Sequence, residues 1–180
     1  MNSEIETLKA YLNKPMSNTE IMKRLGGRTK ILMYDQLNDY EDIDAVLEPW
    51  GNCVILLRTE NNFGHWICLK RLCERICFFD SYGEFPDKQK QYVNKKFIVK
   101  SNQKYNKLCE LLYKASFKYL IEFSQYKLQR MSDDISTCGQ WCCLFIESGM
   151  LVDDFKKYID TFLPKLKDRD LICVKLFYDL

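Results

Sequence analysis

GHWICLKRLCERICFFDSYG, residues 64–83, is two apolar runs joined by a short charged stretch. The runs Phe63–Leu69 and Arg75–Ser81 carry the aromatic and β-branched residues of strands, and so short a linker makes a hairpin the simplest connection. A turn centred between Leu72 and Cys73 sets His65 opposite Asp80, Ile67 opposite Phe78 and Leu69 opposite Ile76 on one face. Trp66/Phe79 and Cys68/Cys77 then meet on the other. Opposed residues have Cβ atoms about 4.5–5.5 Å apart, so a His65–Asp80 hydrogen bond is within reach. A register shifted by two keeps that pair on one face, whereas a shift of one separates it. A carboxylate bound to one imidazole nitrogen fixes the tautomer and stabilises the imidazolium, leaving the other nitrogen to take a proton from a thiol. A histidine held at a strand edge for purely structural reasons is the plain alternative.

Working outward, CVILLRT (Cys53–Thr59) reads as a buried strand after the turn chemistry of PWGN, with the polar loop ENN behind it. The N-terminal third reads as mainly helical. Ser17 and Glu20 fit a capping box that opens a short helix closed by Gly26–Gly27. Lys104–Ser116 carries a helical stripe of Tyr105, Leu108, Cys109, Leu112 and Ala115. KYLIEFSQYKLQ (Lys118–Gln129) is expected as the fourth strand. A nearly all-apolar helix is expected from Cys138 to Ile146, stopping near Gly149, and VDDFKKYIDTFL follows as an amphipathic helix with acids in its first turn. Asp170–Leu180 is ambiguous between strand and helix. Strands alternating irregularly with helices make the fold class α+β, a single domain over residues 1–180.

Composition narrows the function. With 47% apolar and 29% charged residues the 180-residue chain is of ordinary globular type, and a net charge of +2 selects neither acidic nor basic partners. The longest apolar runs, Cys53–Leu57 and Trp141–Ile146, fall far short of the roughly 18 residues of a membrane span. The first residues lack the basic-then-apolar pattern of a secretory signal, so a reducing compartment is expected. Nine cysteines in such a setting read as free thiols. Cys73/Cys77 and Cys138/Cys142 lack the spacing of zinc sites, and His65 is the single histidine. No metal and no cofactor are expected.

Within STCGQWCCLFI (Ser136–Ile146), Cys138 stands at the entrance of the apolar helix and Gly139 follows it. A thiol there meets unpaired amides and the positive end of the helix dipole, which favour negative charge on sulfur. Gly139 lets a substrate carbonyl approach the Cys138 amide, one donor of an oxyanion hole. Cys142 and Cys143 read as packed core thiols.

GHW, then FFDSYG, then CG opening a hydrophobic helix resembles the adenain-like cysteine proteases. These comprise the adenovirus maturation protease, the SUMO-specific proteases, and proteases of virophages, Maverick-type transposons and large DNA viruses. The resemblance spans Cys53 to Gly149. It implies a papain-like fold in permuted chain order, a central mixed sheet with a buried nucleophile-bearing helix. It also implies His65 as general base, Asp80 as its orienting acid, Cys138 as nucleophile, and Trp66 with Gly139 at a narrow tunnel for small residues before the scissile bond. The family's oxyanion glutamine normally lies closer to the cysteine, at positions filled here by Ser132 and Met131. Gln129 is the nearest upstream glutamine and is assigned to that role across a longer loop. Gln140, inside the helix, should point away.

The implied activity is a viral or virus-like maturation endopeptidase that cleaves capsid or core precursors near glycine. It would act as a monomer in host cytoplasm or a viral factory and be packaged in the virion. The alternatives are a deconjugating protease for ubiquitin-like modifiers and a catalytically inactive binding relative. Lys88–Lys107 holds seven lysines and no acid, read as a solvated face or a weak nucleic-acid contact. The adenovirus enzyme's activation by DNA and by a cysteine-linked peptide has no identified counterpart here beyond Cys109 as a conceivable anchor.

Overall fold

The computed structural model describes residues 2–61 and 63–179; Asn62, the last residue of the expected polar loop, lies outside them with Met1 and Leu180. In chain order the elements are α1 (Asn2–Lys9), α2 (Asn18–Arg24), β1 (Lys30–Met33), α3 (Ile43–Leu47), β2 (Asn52–Arg58), β3 (Gly64–Leu72), β4 (Arg75–Phe79), α4 (Lys95–Lys100), α5 (Lys107–Ala115), β5 (Leu120–Phe123), α6 (Cys138–Ser148), α7 (Val152–Asp160), α8 (Leu163–Leu166) and α9 (Arg169–Tyr178). Short 3₁₀ helices occupy Tyr34–Asp39 and Lys88–Tyr92. The strands form one sheet in the order β1-β2-β3-β4-β5. The β1/β2 and β4/β5 pairs are parallel and the two central pairs antiparallel, so the fold is α+β around a mixed sheet.

The hairpin forms as expected but in a register moved by two residues: Leu69 faces Phe78, Cys68 faces Phe79, and Leu72 faces Arg75. Cys73 takes a positive φ of 51°, so Cys73–Glu74 is the two-residue turn and Lys70–Leu72 stay in the strand. Turns with positive φ match the twist of paired strands, which favours this closure over one centred a residue earlier. Two further expectations change. The N-terminal third contains β1, a four-residue strand too short to announce itself as an apolar run. The strand expected over Lys118–Gln129 is β5 alone, and its continuation leaves the sheet.

Both faces of the sheet are covered, which explains the unbroken apolar run Cys53–Leu57 within β2. Cys53, Ile55, Leu57, Ile67, Leu69 and Phe78 pack on α3 and α5. Val54, Leu56, Trp66, Cys68, Cys77 and Phe79 pack on α6, α7 and α9. Asp170–Leu180, undecided in the sequence, is helical through Tyr178. The α2 capping box is formed: the Glu20 amide donates to Ser17 Oγ, and the Ser17 amide donates to Glu20. Of the lysine-rich stretch, Lys88, Lys90 and Lys107 are drawn into ion pairs with Glu84, Asp87 and Glu110. Lys95, Lys96 and Lys100 of α4 are exposed.

Lys70, which reads as part of a charged turn, is instead a buried cap on α6. Its ammonium donates to the carbonyls of Phe145 at 2.6 Å and Met150 at 2.7 Å, and lies 3.7 Å from the centre of the Phe145 ring. A cation at a helix C-terminus meets the negative end of the dipole. Burial pushes Lys70 down from 10.5 to about 8, with the neighbouring thiols of Cys68 and Cys77 acting the other way. Between those pH values the unfolded chain keeps a proton that the folded one has released, so this group makes stability rise with pH across the window. Lys70→Met should lose that contribution to the slope and melt lower at neutral pH, where the Met150 carbonyl loses a donor and the Phe145 carbonyl keeps only Ser148 Oγ. Equal Tm–pH slopes for both proteins over that window would contradict the assignment.

Candidate active site

The site is assembled where β3 begins, β4 ends and α6 starts. Gly64 opens β3 because a Cβ there would stand 2.3 Å from the Leu57 carbonyl oxygen of β2. That close approach fixes the neighbouring His65 at the head of the strand. Extending the observed register puts Tyr82, not Asp80, across from His65, and the two rings stack with centroids 4.4 Å apart and planes 13° from parallel. Asp80 reaches His65 diagonally, with His65 Nε2 and Asp80 Oδ1 2.7 Å apart. The pair therefore forms by way of the two-residue shift that preserves its face.

Asp80 is fully buried, and its carboxylate is fully engaged. Besides His65 it accepts from the Tyr82 amide at 2.8 Å and from Gln89 Nε2 at 2.5 Å. Gln89 sits on the 3₁₀ helix Lys88–Tyr92, which Lys90 and Asp87 fasten to Tyr34. Cys138 is the first residue of α6 and faces the same cleft as this imidazole, whose Nδ1 is not engaged by Asp80. Burial alone would push His65 down. The Asp80 charge and hydrogen bond, with a smaller contribution from Cys138, overcome this and hold it up at about 10. An imidazolium at neutral pH, held by the Asp80 carboxylate, is the resulting electrostatic state.

Gln129 is 3% exposed and stands on the same cleft as Cys138. It is not at the end of a strand. The extended segment after β5 turns back along Ser81, whose carbonyl accepts the amides of Leu128 and Gln129, each at 2.9 Å. Ser81 Oγ donates to Gln129 Oε1 at 2.7 Å, which leaves the side-chain NH₂ near the Tyr82 hydroxyl at 3.4 Å and the Ile135 carbonyl at 3.5 Å. Burial, followed by the charges of Cys138 and Asp80, pushes the Tyr82 hydroxyl up to about 12, so it stays neutral. Gln140 turns away, its Nε2 donating to the Lys14 carbonyl at 2.8 Å.

These groups surround an open cleft of ≈ 580 Å³ lined by Met16, His65, Trp66, Tyr82, Gln129 and Cys138 among others. The indole N–H of Trp66 donates to the Met16 carbonyl at 3.0 Å. Gly139 is buried behind Cys138: a Cβ there would come within 2.9 Å of Met16 Cβ and 3.2 Å of Trp66 Cδ1. Its absent side chain lets Met16 and Trp66 close on the helix. Cys142 and Cys143 are buried free thiols, both pushed well up by burial.

The sequence gives no sign of Gln89 or Met16, which reach the site only through the fold, whereas Ser81 and Tyr82 stand inside the quoted stretch beside Asp80. Among the described residues no cluster of histidine, cysteine and carboxylate is placed to hold a metal ion. No described helix is long and apolar enough to cross a membrane.

No protein-family model matches the chain. Among curated proteins it is similar to "Uncharacterized protein V9" of Sputnik virophage, 39% identical over 165 residues, which are 91% of this chain and 93% of that one.

Proposed function

The chain belongs to the family of Sputnik virophage protein V9, and from its cleft we propose that it is a cysteine endopeptidase of a virus or virus-like element. The observation that carries the reading is one imidazole held by a buried carboxylate, 2.7 Å from Nε2, on the same cleft as the thiol that opens α6. In this reading the fold is the papain-like one in permuted order. The substrates are capsid or core precursors cut near glycine, in host cytoplasm or a viral factory, with the enzyme packaged in the virion. Membership in a virophage family supports the viral setting, and the Trp66–Met16 wall supports small residues at the cleft.

The chemistry is acyl transfer. Cys138 sulfur, having given its proton to His65, bonds to the substrate carbonyl carbon, and the carbonyl π electrons move to oxygen. Gln129 Nε2 and the Cys138 amide donate to that oxyanion. Collapse breaks the C–N bond, His65 returns its proton to the leaving amine, and a thioester remains. His65 then takes a proton from water, whose hydroxyl displaces the sulfur as the acid is released. Thiol acyl transfer of this kind needs neither metal nor organic cofactor.

A peptide ending in Gly-Gly and carrying a thiol-reactive warhead tests the reading by mass spectrometry near neutral pH. One adduct on Cys138 is expected in wild type, none in Cys138→Ala, and slow labelling in His65→Ala. An adduct on Cys142 or Cys143, or none at all, sinks the proposal and favours an inactive binding relative. Turnover of ubiquitin-like conjugates but not of virion precursors would select a deconjugating protease.

A further inference from the structure

The loop between Gln129 and Cys138 is exposed over residues 130–134, yet one buried side chain holds both its ends. Asp170, in the first turn of α9, is 0% exposed. Its Oδ2 accepts the Arg130 amide at 3.0 Å and lies 3.6 Å from Arg130 Nε. Its Oδ1 accepts from Thr137 Oγ1 at 2.8 Å and from Trp141 Nε1 at 3.4 Å. Burying a carboxylate is costly unless donors converge on it. Here they do, and two of them belong to the residue after Gln129 and the residue before Cys138.

Thr137 adds a second observation. A threonine at an N-cap normally turns its oxygen to the first helical amides. Thr137 makes no such bond: its backbone is not in the extended cap conformation, and its hydroxyl is directed to Asp170. The amides of Gly139 and Gln140, which an N-cap side chain would serve, are left without that cap.

We propose that Asp170 is the positioning residue of the oxyanion site: by holding Arg130 and Thr137 it sets the separation between the Gln129 side chain and the Cys138 amide. The inference rests on the acyl-transfer reading above. Asp170 touches no substrate atom, so it acts through Arg130 and Thr137. A displacement of about 1 Å at a reacting centre costs about 10²-fold in rate.

The test separates steps that form an oxyanion from one that does not. Alkylation of Cys138 by iodoacetamide joins sulfur to a saturated carbon and releases iodide, with no oxyanion formed. Asp170→Asn keeps the shape of the side chain but places an NH₂ where a charged acceptor stood. It is expected to lower kcat on a quenched Gly-Gly peptide about 10²-fold with KM and the alkylation rate unchanged within about twofold. Asp170→Asn combined with Gln129→Ala should be no slower than Gln129→Ala alone, as for residues acting on one interaction. Thr137→Val removes one bond of the clamp without altering charge, should show the same split with a smaller loss, and carries the test where Asp170→Asn does not fold. Unchanged kcat, or alkylation falling in step with kcat, overturns the inference while leaving the protease reading in place. Wild type that turns over no peptide and shows no selective reactivity at Cys138 overturns both.

Discussion

Asp80→Asn should lower kcat/KM on a Gly-Gly peptide by about 10⁴-fold while leaving the protein folded, the scale of loss when an orienting carboxylate becomes an amide. The reason is electrostatic before it is steric. Asp80 accepts three hydrogen bonds, from His65, the Tyr82 amide and Gln89. An asparagine can face its NH₂ to Gln89, whose amide flips to accept it, or to His65 and the Tyr82 amide, where N–H groups confront each other. Either way the carboxylate charge is gone. His65 also loses the charge that outweighs its burial, so its affinity for the proton falls from about 10 toward or below the ordinary 6.5. The pH–rate profile should report this. In wild type, activity that needs the imidazolium persists until the alkaline limb near about 10, whereas in Asp80→Asn that limb moves to lower pH. An alkaline limb at one pH in both proteins would uncouple the pair. Stability follows the same sign: with the folded value raised above 6.5, the contribution of His65 is complete below that pH and is lost as pH climbs through about 10. Lys70 acts in the opposite direction between about 8 and 10.5, so the two buried cations partly offset each other in alkaline solution.

The His65–Asp80 pair was legible because strand periodicity is forgiving in one way: an error of two residues in register leaves every face assignment intact. Which residue stacks on His65 was not legible, since that depends on the register itself, and Tyr82 took the place expected for Asp80. That Cys138 opens α6 was readable from local chemistry, a cysteine and a glycine entering an apolar helix. Gln129 was readable only by its identity, because its position comes from Ser81, a residue far away in the chain. Gln89, Met16 and Asp170 carry no local signature, and each enters the site through a tertiary contact. Lys70 was misread for a related reason: a lysine near a turn is usually solvated, and only the C-terminus of α6 behind it explains its burial. β1 escaped notice because four residues are too few for a period to show.

Phe145→Ala should destabilise the protein by about 3–5 kcal/mol, the range for removing a fully buried aromatic ring. Phe145 is 0% exposed and sits where three elements meet. Its ring stacks on Phe79 of β4 at 4.5 Å and meets the edge of Phe155 of α7 at 5.3 Å, with the Lys70 ammonium 3.7 Å from its centre. Truncation therefore removes two aromatic contacts and leaves a charged group facing a void, so the upper half of the range is expected. Against a total stability of about 5–15 kcal/mol for a domain, the loss is a large fraction of the whole. Urea unfolding is the measurement: the midpoint should fall with the m-value retained. Phe117→Ala, at a ring 80% exposed, is the matched control and should stay within about 0.5 kcal/mol. The functional consequence separates the two ends of α6. Its N-terminus is held by Thr137 and Trp141 on Asp170, away from the cavity. Folded Phe145→Ala at low temperature should thus still be labelled at Cys138, and its loss of activity on warming should track unfolding. Labelling lost while the protein remains folded would mean that the seam around Phe145 governs the nucleophile at the far end of α6 as well.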